Sequence, residues 1–339
     1  MIYSISHTDL DGYASQLIIK KVAEAAGEKI KMFNVNYGKS ITNAIAETLG
    51  NISSKDSLYI TDLNLDDKQA ELLNEKMIEI GFKLHVLDHH ETGKNIAAKY
   101  DWYHYDKTKC ATQITFEYFN SPSVVEYLTY LTNIYDLWQI EELDFFKAQC
   151  LNQSLMDRKK IFLKILEDMQ RDFNFFIIEN VSKLLKSAPD IYSVEKELYE
   201  LERRYFDSDN RLPNRTLHTV KIRAMYNEIV KKELYTLVEI DGLTAEIYTG
   251  LSEIFQEFSA MRNELGEADF VANINSQGYI GFRSIGNINV ADIAKKYFNG
   301  GGHKNAAGGS IESVINAGKK IQENEMIFEF IKTIKEKKC

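Results

Sequence analysis

The sequence predicts an α/β fold, with a parallel-sheet N-terminal domain followed by a smaller α/β C-terminal domain. Three observations carry that expectation. The first 90 residues repeat one pattern, a short apolar segment, polar residues and then an amphipathic helix. Strands alternating with helices imply a parallel sheet with helices on its faces. Residues 110–200 hold few glycines and alternate apolar with charged positions, as helices do. Near 205–216 the chain turns polar in "FDSDNRLPNRT" and carries one of only three prolines. That stretch reads as a linker, placing the domains at 1–205 and 206–339.

The elements follow in order. "MIYSIS" (1–6) is strand-like, and "YASQLIIKKVAEAAG" reads as a helix ended by Gly27. "IKMFNVNYG" is a second strand and "TNAIAETLG" a helix. "SLYITDL" (57–63) is a third strand, and "DDKQAELLNEKMIEIG" a helix stopped by Gly81. "FKLHVLDHH" is a fourth strand. After the linker, "ELYTLVEIDG", "TAEIYTG", "ADFVANIN" and "YIGFRSI" are strand candidates, with helices expected over 252–264, 290–298 and 313–336.

Composition narrows the function classes. A length of 339 residues suggests about two domains. The net charge of −9 and the lack of a basic stripe argue against a protein that coats long nucleic acid. No apolar run approaches the ~18 residues of a membrane helix, and "MIYSISHTDLDG" places acids where a signal peptide has its apolar centre. A cytoplasmic location is the expectation. Cys110, Cys150 and Cys339 are far apart and form no CxxC pair, so free thiols are expected.

The acids and histidines gather where strands end. Strand one runs into "SHTDLDG", with His7, Asp9 and Asp11; strand three runs into "TDLN", with Asp62; strand four stops on Asp88, His89 and His90. Ligands of an open parallel sheet bind at the carboxyl ends of its strands, so these distant groups converge on one rim. Crowded carboxylates repel unless a cation lies between them. Mixed carboxylate and imidazole donors suit Mn²⁺, Fe²⁺, Co²⁺ or Zn²⁺, and the set suffices for two ions sharing a bridging carboxylate. Asp136, in the apolar "LTNIYDLWQI", is either a fourth contributor or an exposed residue on a helix's polar side.

These residues resemble the DHH phosphoesterase superfamily. "HTDLDG", "TDLN", "DHH" and Asp136 match its four motifs in order and approximate spacing, with the first motif in its His-x-Asp-x-Asp version. The C-terminal "GGGHKNAAGG" (300–309) looks like the signature of the DHH-associated domain of RecJ-like and nanoRNase enzymes. The resemblance implies two divalent ions, Mn²⁺, one held by His7, Asp9 and Asp62 and the other by Asp11, Asp62, His89 and Asp136. It gives Asp88 the part of orienting a neighbouring ligand. His90 would contact the phosphate and protonate a leaving oxygen.

The C-terminal domain would then grip substrate in a cleft between the domains. The glycines of its signature, Gly301 and Gly302 among them, let backbone N–H groups approach an anion. His303 and Asn305 add side-chain donors, and Arg283 in "GFRSIG" offers a phosphate fork, with Arg262 a second choice. Length and domain content look most like the nanoRNases of the oligoribonuclease B-like group. The function implied is hydrolysis of very short RNA oligonucleotides to mononucleotides. The alternatives are a pAp phosphatase, a cyclic (di)nucleotide phosphodiesterase and, outside enzymes, a nucleotide-binding regulator. Expected partners are short RNA oligonucleotides or nucleotide phosphates, without long duplex nucleic acid or a membrane, and a homodimer is the assembly considered.

Overall fold

The computed structural model describes all residues except 122, 159–161, 164–165, 188–189, 208–214, 252–253, 266–267, 318–322 and 339. The chain divides into two compact units, Met1–Ile161 with Asp168–Tyr205, and Phe162–Glu167 with Phe206–Cys339.

The first unit opens with β1 (Ile2–Ser6), α1 (Leu10–Ala25), β2 (Ile30–Asn34), α2 (Lys39–Leu49), β3 (Ser57–Thr61), α3 (Asp67–Ile80) and β4 (Lys83–Asp88). A short helix α4 (Lys94–Ala97) leads to β5 (Tyr103–Tyr105). All five strands are parallel, in the order β2-β1-β3-β4-β5. Alternate strand residues face opposite sides. Tyr3, Ile5, Leu58, Ile60, Leu84 and Val86 pack against Ile41 and Ile45 of α2 and Leu73 of α3. On the other face Ile2 and Tyr59 meet Ile19 and Ala23 of α1. Helix α1 also packs against α5 (Ala111–Tyr118) and α6 (Glu126–Asp136). Helices α7 (Phe145–Met156), α8 (Glu167–Ser187) and α9 (Ile191–Phe206) continue the helical region.

The strand order reverses between β1 and β3, since β2 lies on one side of β1 and β3 on the other. Ligands of such sheets bind outside the carboxyl ends at that reversal. Register sharpens the point. Ser6 pairs with Thr61, and Thr61 with Leu87. The next residues, His7, Asp62 and Asp88, therefore leave the sheet at one level.

The second unit contains α10 (Leu217–Lys231), β6 (Thr236–Ile240), β7 (Leu243–Thr249), α11 (Phe255–Leu265), β8 (Phe270–Ile274), β9 (Tyr279–Ser284), α12 (Val290–Phe298), β10 (Gly301–His303), β11 (Ala306–Ser310), α13 (Glu312–Ala317) and α14 (Glu323–Lys338). Among the described residues its strands run β10-β11-β9-β8-β7-β6, and β7 and β8 are the parallel pair. Phe282, Phe298 and Phe330 centre its core.

Four features differ from the sequence expectation. Strand β5 has three residues, too few to show a period. Helix α10 is capped by Thr216, whose side chain accepts from the Thr219 amide; that cap lies within the polar stretch that reads as linker, of which 208–214 are outside the described residues. The helix expected over 313–336 is two helices, α13 and α14. The glycine-rich signature is a β-hairpin whose second strand pairs with β9. Cys110 and Cys150 are free thiols, and Cys339 lies outside the described residues. Among the described residues no helix is long and apolar enough to cross a membrane.

Candidate metal centre

The turn after β1 is shaped by one glycine. A Cβ on Gly12 would lie 2.4 Å from the carbonyl oxygen of His7, so only glycine lets α1 start this close to the strand end. Asp9 caps α1, its Oδ1 accepting from the Gly12 amide at 3.0 Å. Its Oδ2 lies 2.7 Å from His7 Nδ1, and the same nitrogen lies 3.6 Å from Asp62 Oδ2. Asp62 follows β3 with φ of 57°. A non-glycine residue in the left-handed region carries strain that clusters at functional sites.

His89 completes a second group. Its Nε2 lies 3.4 Å from Asp136 Oδ2, 3.5 Å from Asp62 Oδ1 and 3.7 Å from Asp11 Oδ2. Asp136 is the last residue of α6, and its side chain is 26% exposed, so it faces His89 rather than only solvent. Three sets have donor atoms within 4.8 Å of one another: His7, Asp9 and Asp62; Asp11, His89 and Asp136; and Asp62, His89 and His90. Asp62 is shared by two of them.

The residues fit a cation. Asp62 Oδ2 and His89 Nε2 are buried and have no hydrogen-bond partner. Each such orphan costs about 1–3 kcal/mol, and a cation between them removes the deficit. Burial and the neighbouring charges of Asp11 and Asp9 push the Asp62 carboxyl well above the usual carboxylate range, as expected of acids crowded without a counter-ion.

Asp11 has a second task. It is 1% exposed, and its two oxygens accept from the amides of Ala111 (2.8 Å) and Thr112 (2.7 Å), the first residues of α5. It thus satisfies orphan donors of a helix whose own cap residue, Cys110, makes no side-chain cap bond. Asp11→Ala is expected to cost about 1–2 kcal/mol in chelator, read by urea denaturation, with Asp11→Asn recovering part of it. A gain in stability would mean that relief of repulsion outweighs the lost cap.

Asp88 is fully buried. Its Oδ1 lies 2.7 Å from His90 Nδ1, and its Oδ2 accepts from the Tyr103 hydroxyl at 2.6 Å. The Asp88 hydrogen bond holds the His90 imidazolium pKa above its ordinary value. Burial and the Asp88 charge push the Tyr103 phenol up, so it remains a donor. Tyr103 carries no motif signal and sits on the short β5. Tyr103→Phe is expected to lower kcat about 10-fold, as loss of a residue that orients a site group does, with KM nearly unchanged. A KM-dominated effect would assign Tyr103 to substrate binding instead.

The substrate residues expected in the second unit fall on β9 and the hairpin. Arg283 stands opposite Ala306 in the β9–β11 pairing, donates to the Phe282 carbonyl at 2.8 Å and lies over the Phe255 ring at 5.7 Å. Gly301, Gly302 and His303 are exposed on β10. Gly302 has φ of 146°, a conformation that side chains rarely adopt, whereas Gly301 has open space where a Cβ would be. Asn305 turns inward, its Nδ2 donating to Ser284 Oγ (2.9 Å) and the Ile288 carbonyl (3.2 Å). Its side chain secures the hairpin. Arg262 is a correction. It is 2% exposed and paired through Nε with Glu246 Oε2 at 2.6 Å, so its guanidinium is committed inside the unit.

A family model described as the DHHA1 domain matches residues 251–337. That match lies in the same chain as the acid–histidine rim. Residues 251–337 thus match the DHHA1 family, and the chain as a whole resembles the DHH phosphoesterases. Over 334 residues, 92% of the chain and 93% of the relative, the chain is 28% identical to a 3′,5′-cyclic-nucleotide phosphodiesterase of Helicobacter pylori. It is 27% identical over 328 residues to the oligoribonuclease NrnB of Bacillus subtilis, covering 92% of the chain and 73% of that protein. Among solved structures, it resembles an uncharacterized protein from Helicobacter pylori G27 with a TM-score of 0.78 at 25% identity, covering 98% and 99% of the two chains.

Proposed function

We propose that this protein is a metal-dependent phosphodiesterase that hydrolyses the 3′,5′-phosphodiester of very small nucleotides, with dinucleotides and similarly short RNA as substrates. The observation that carries the reading is the convergence of six donors on one sheet rim, with Asp62 Oδ2 and His89 Nε2 buried and unpartnered. His7, Asp9 and Asp62 would hold one divalent cation, and Asp11, Asp62, His89 and Asp136 the other, with Mn²⁺ suited to the mixed donor set. Such a pair supplies Lewis-acid polarisation of the phosphoryl oxygens and lowers the pKa of water to near neutrality. The protein's own residues do the rest. His90, held through Nδ1 by Asp88, keeps its other ring nitrogen for the phosphate and the leaving oxygen. Asp88 and Tyr103 fix that ring. Gly301, His303 and Arg283 are the second unit's own candidates for nucleotide contact.

A cyclic-nucleotide substrate is the second reading, favoured by the near-complete coverage of the Helicobacter pylori enzyme. Both substrates present the same 3′,5′ bond. The regulator alternative loses its support, since both named relatives are enzymes and the acids of the rim are in place. The test is incubation with Mn²⁺ and, in parallel, a 5′-phosphorylated diribonucleotide, 3′,5′-cyclic AMP, pAp and a long single-stranded RNA. Preferred conversion of the diribonucleotide supports the first reading and preferred opening of cyclic AMP the second. Release of phosphate from pAp alone would make it a phosphatase. No turnover of any of them, with Mn²⁺ bound, would overturn the proposal.

A further inference from the structure

We propose that the cavity between the first turn of α2 and the β3–α3 loop is a nucleobase subsite, with Tyr37 as its stacking wall. The inference deepens the phosphodiesterase reading and rests on it for the identity of the ligand.

The cavity encloses about 410 Å³ within the first unit, inside the range of about 300–1,000 Å³ typical of small-molecule sites. Tyr37 belongs to both the cavity and the metal rim. It lines the cavity, while its ring lies 5.7 Å from that of His7 and 6.3 Å from that of His90. The side chain is large and apolar, yet Tyr37 is 45% exposed. The centre thus carries an open aromatic face beside its two histidines.

The opposite walls are polar and of two kinds. One set is already committed and rigid. Asp66 and Gln69 form a reciprocal capping box at the start of α3, and Gln69 Nε2 donates to Thr42 Oγ1 at 3.1 Å, tying α3 to α2. The other set is uncommitted. Among the described residues no protein hydrogen bond engages the side-chain amides of Asn43 and Asn64, which line the same cavity. Each offers both donors and an acceptor. A ligand that matches an aromatic wall and free amide edges beside the Lys39 ammonium is a planar hydrogen-bonding heterocycle on a phosphate-bearing nucleoside. Next to a phosphodiester centre, that is the base of the nucleoside bearing the scissile phosphate. Base–aromatic stacking tolerates all bases, while amide side chains discriminate among base edges. Tyr37 would therefore set affinity for any nucleoside, and Asn43 with Asn64 would set base preference.

The test is calorimetric titration of the full chain, loaded with Mn²⁺, with AMP, CMP and inorganic phosphate. In Tyr37→Ala the affinity for AMP and CMP is expected to fall about 10-fold or more, while phosphate binding stays as in the wild type. Tyr37→Phe keeps the ring and should retain AMP binding. Asn64→Ala should change the ratio of AMP to CMP affinity. AMP affinity indifferent to Tyr37→Ala, or phosphate affinity falling in parallel, would overturn the subsite. So would a wild-type protein that binds AMP no more tightly than phosphate. The two proposals fail separately. AMP binding that depends on Tyr37 in a protein without phosphodiesterase turnover sinks the proposed reaction and leaves the subsite. Turnover with AMP affinity blind to Tyr37 does the reverse.

Discussion

Asp62→Asn is expected to abolish turnover and, in the same protein stripped of metal, to raise stability. Both effects have one origin. Asp62 is 2% exposed, holds a left-handed backbone at φ 57°, and has one carboxylate oxygen without a partner. Asp11 and Asp9 add like charge, so without a cation its ionised form is strongly disfavoured. Asparagine keeps the size, tolerates the left-handed conformation and removes the charge. A gain of about 1–3 kcal/mol in chelator follows from the relieved deficit. Turnover should fall on the order of 10³-fold or more, since the residue shared by two donor sets is gone. Excess Mn²⁺ should invert the stability order, because only the wild type keeps the shared ligand. Saturation at 100 times Kd adds about 2.7 kcal/mol to the native state. Urea denaturation of both proteins, with chelator and with Mn²⁺, reads all of this. A metal-free Asp62→Asn less stable than the wild type would show that protein groups already satisfy the acid.

Arg262→Ala is expected to cost more stability than any single change in the metal centre. Arg262 and Glu246 are buried together, joined by two N–H···O contacts. The Tyr248 hydroxyl donates to Glu246 Oε2 at 2.6 Å, and Tyr248 is itself fully buried. Removing the guanidinium leaves a carboxylate in an apolar interior, a loss of about 3–5 kcal/mol. Replacing the pair together, as Arg262→Met with Glu246→Leu, should restore most of it, because desolvation of both charges disappears with the pair. The measurement is the denaturation midpoint of the single and double variants. A single variant within about 1 kcal/mol of the wild type would mean that water reaches Glu246.

The candidate site was legible to the extent that its chemistry lay at strand ends. Period and punctuation along residues 1–90 locate β1, β3 and β4, and an acid or histidine at each end is visible without coordinates. The second strand-rich domain was legible for the same reason, as β6 to β9 fall on segments with strand composition. Arg262 stayed a second choice because a lone arginine in "SAMRNEL" looks the same whether it meets solvent or a buried glutamate on a neighbouring strand. Tyr103 and Tyr37 gave no signal, because an isolated tyrosine is ordinary composition.

Sequence by itself determined which atoms are available and roughly where along each element they stand, because helical and strand periods are local properties of the chain. Tertiary structure alone decided which of them meet. It brought Asp136, at the end of α6, to His89, and set the capping of α5 by Asp11 across 100 residues. It also turned Asp88 toward Tyr103 and put Asn305 to use inside its own hairpin. Those choices depend on strand register and on the angles at which helices pack, which are energies summed over the whole fold rather than written in any short stretch of it.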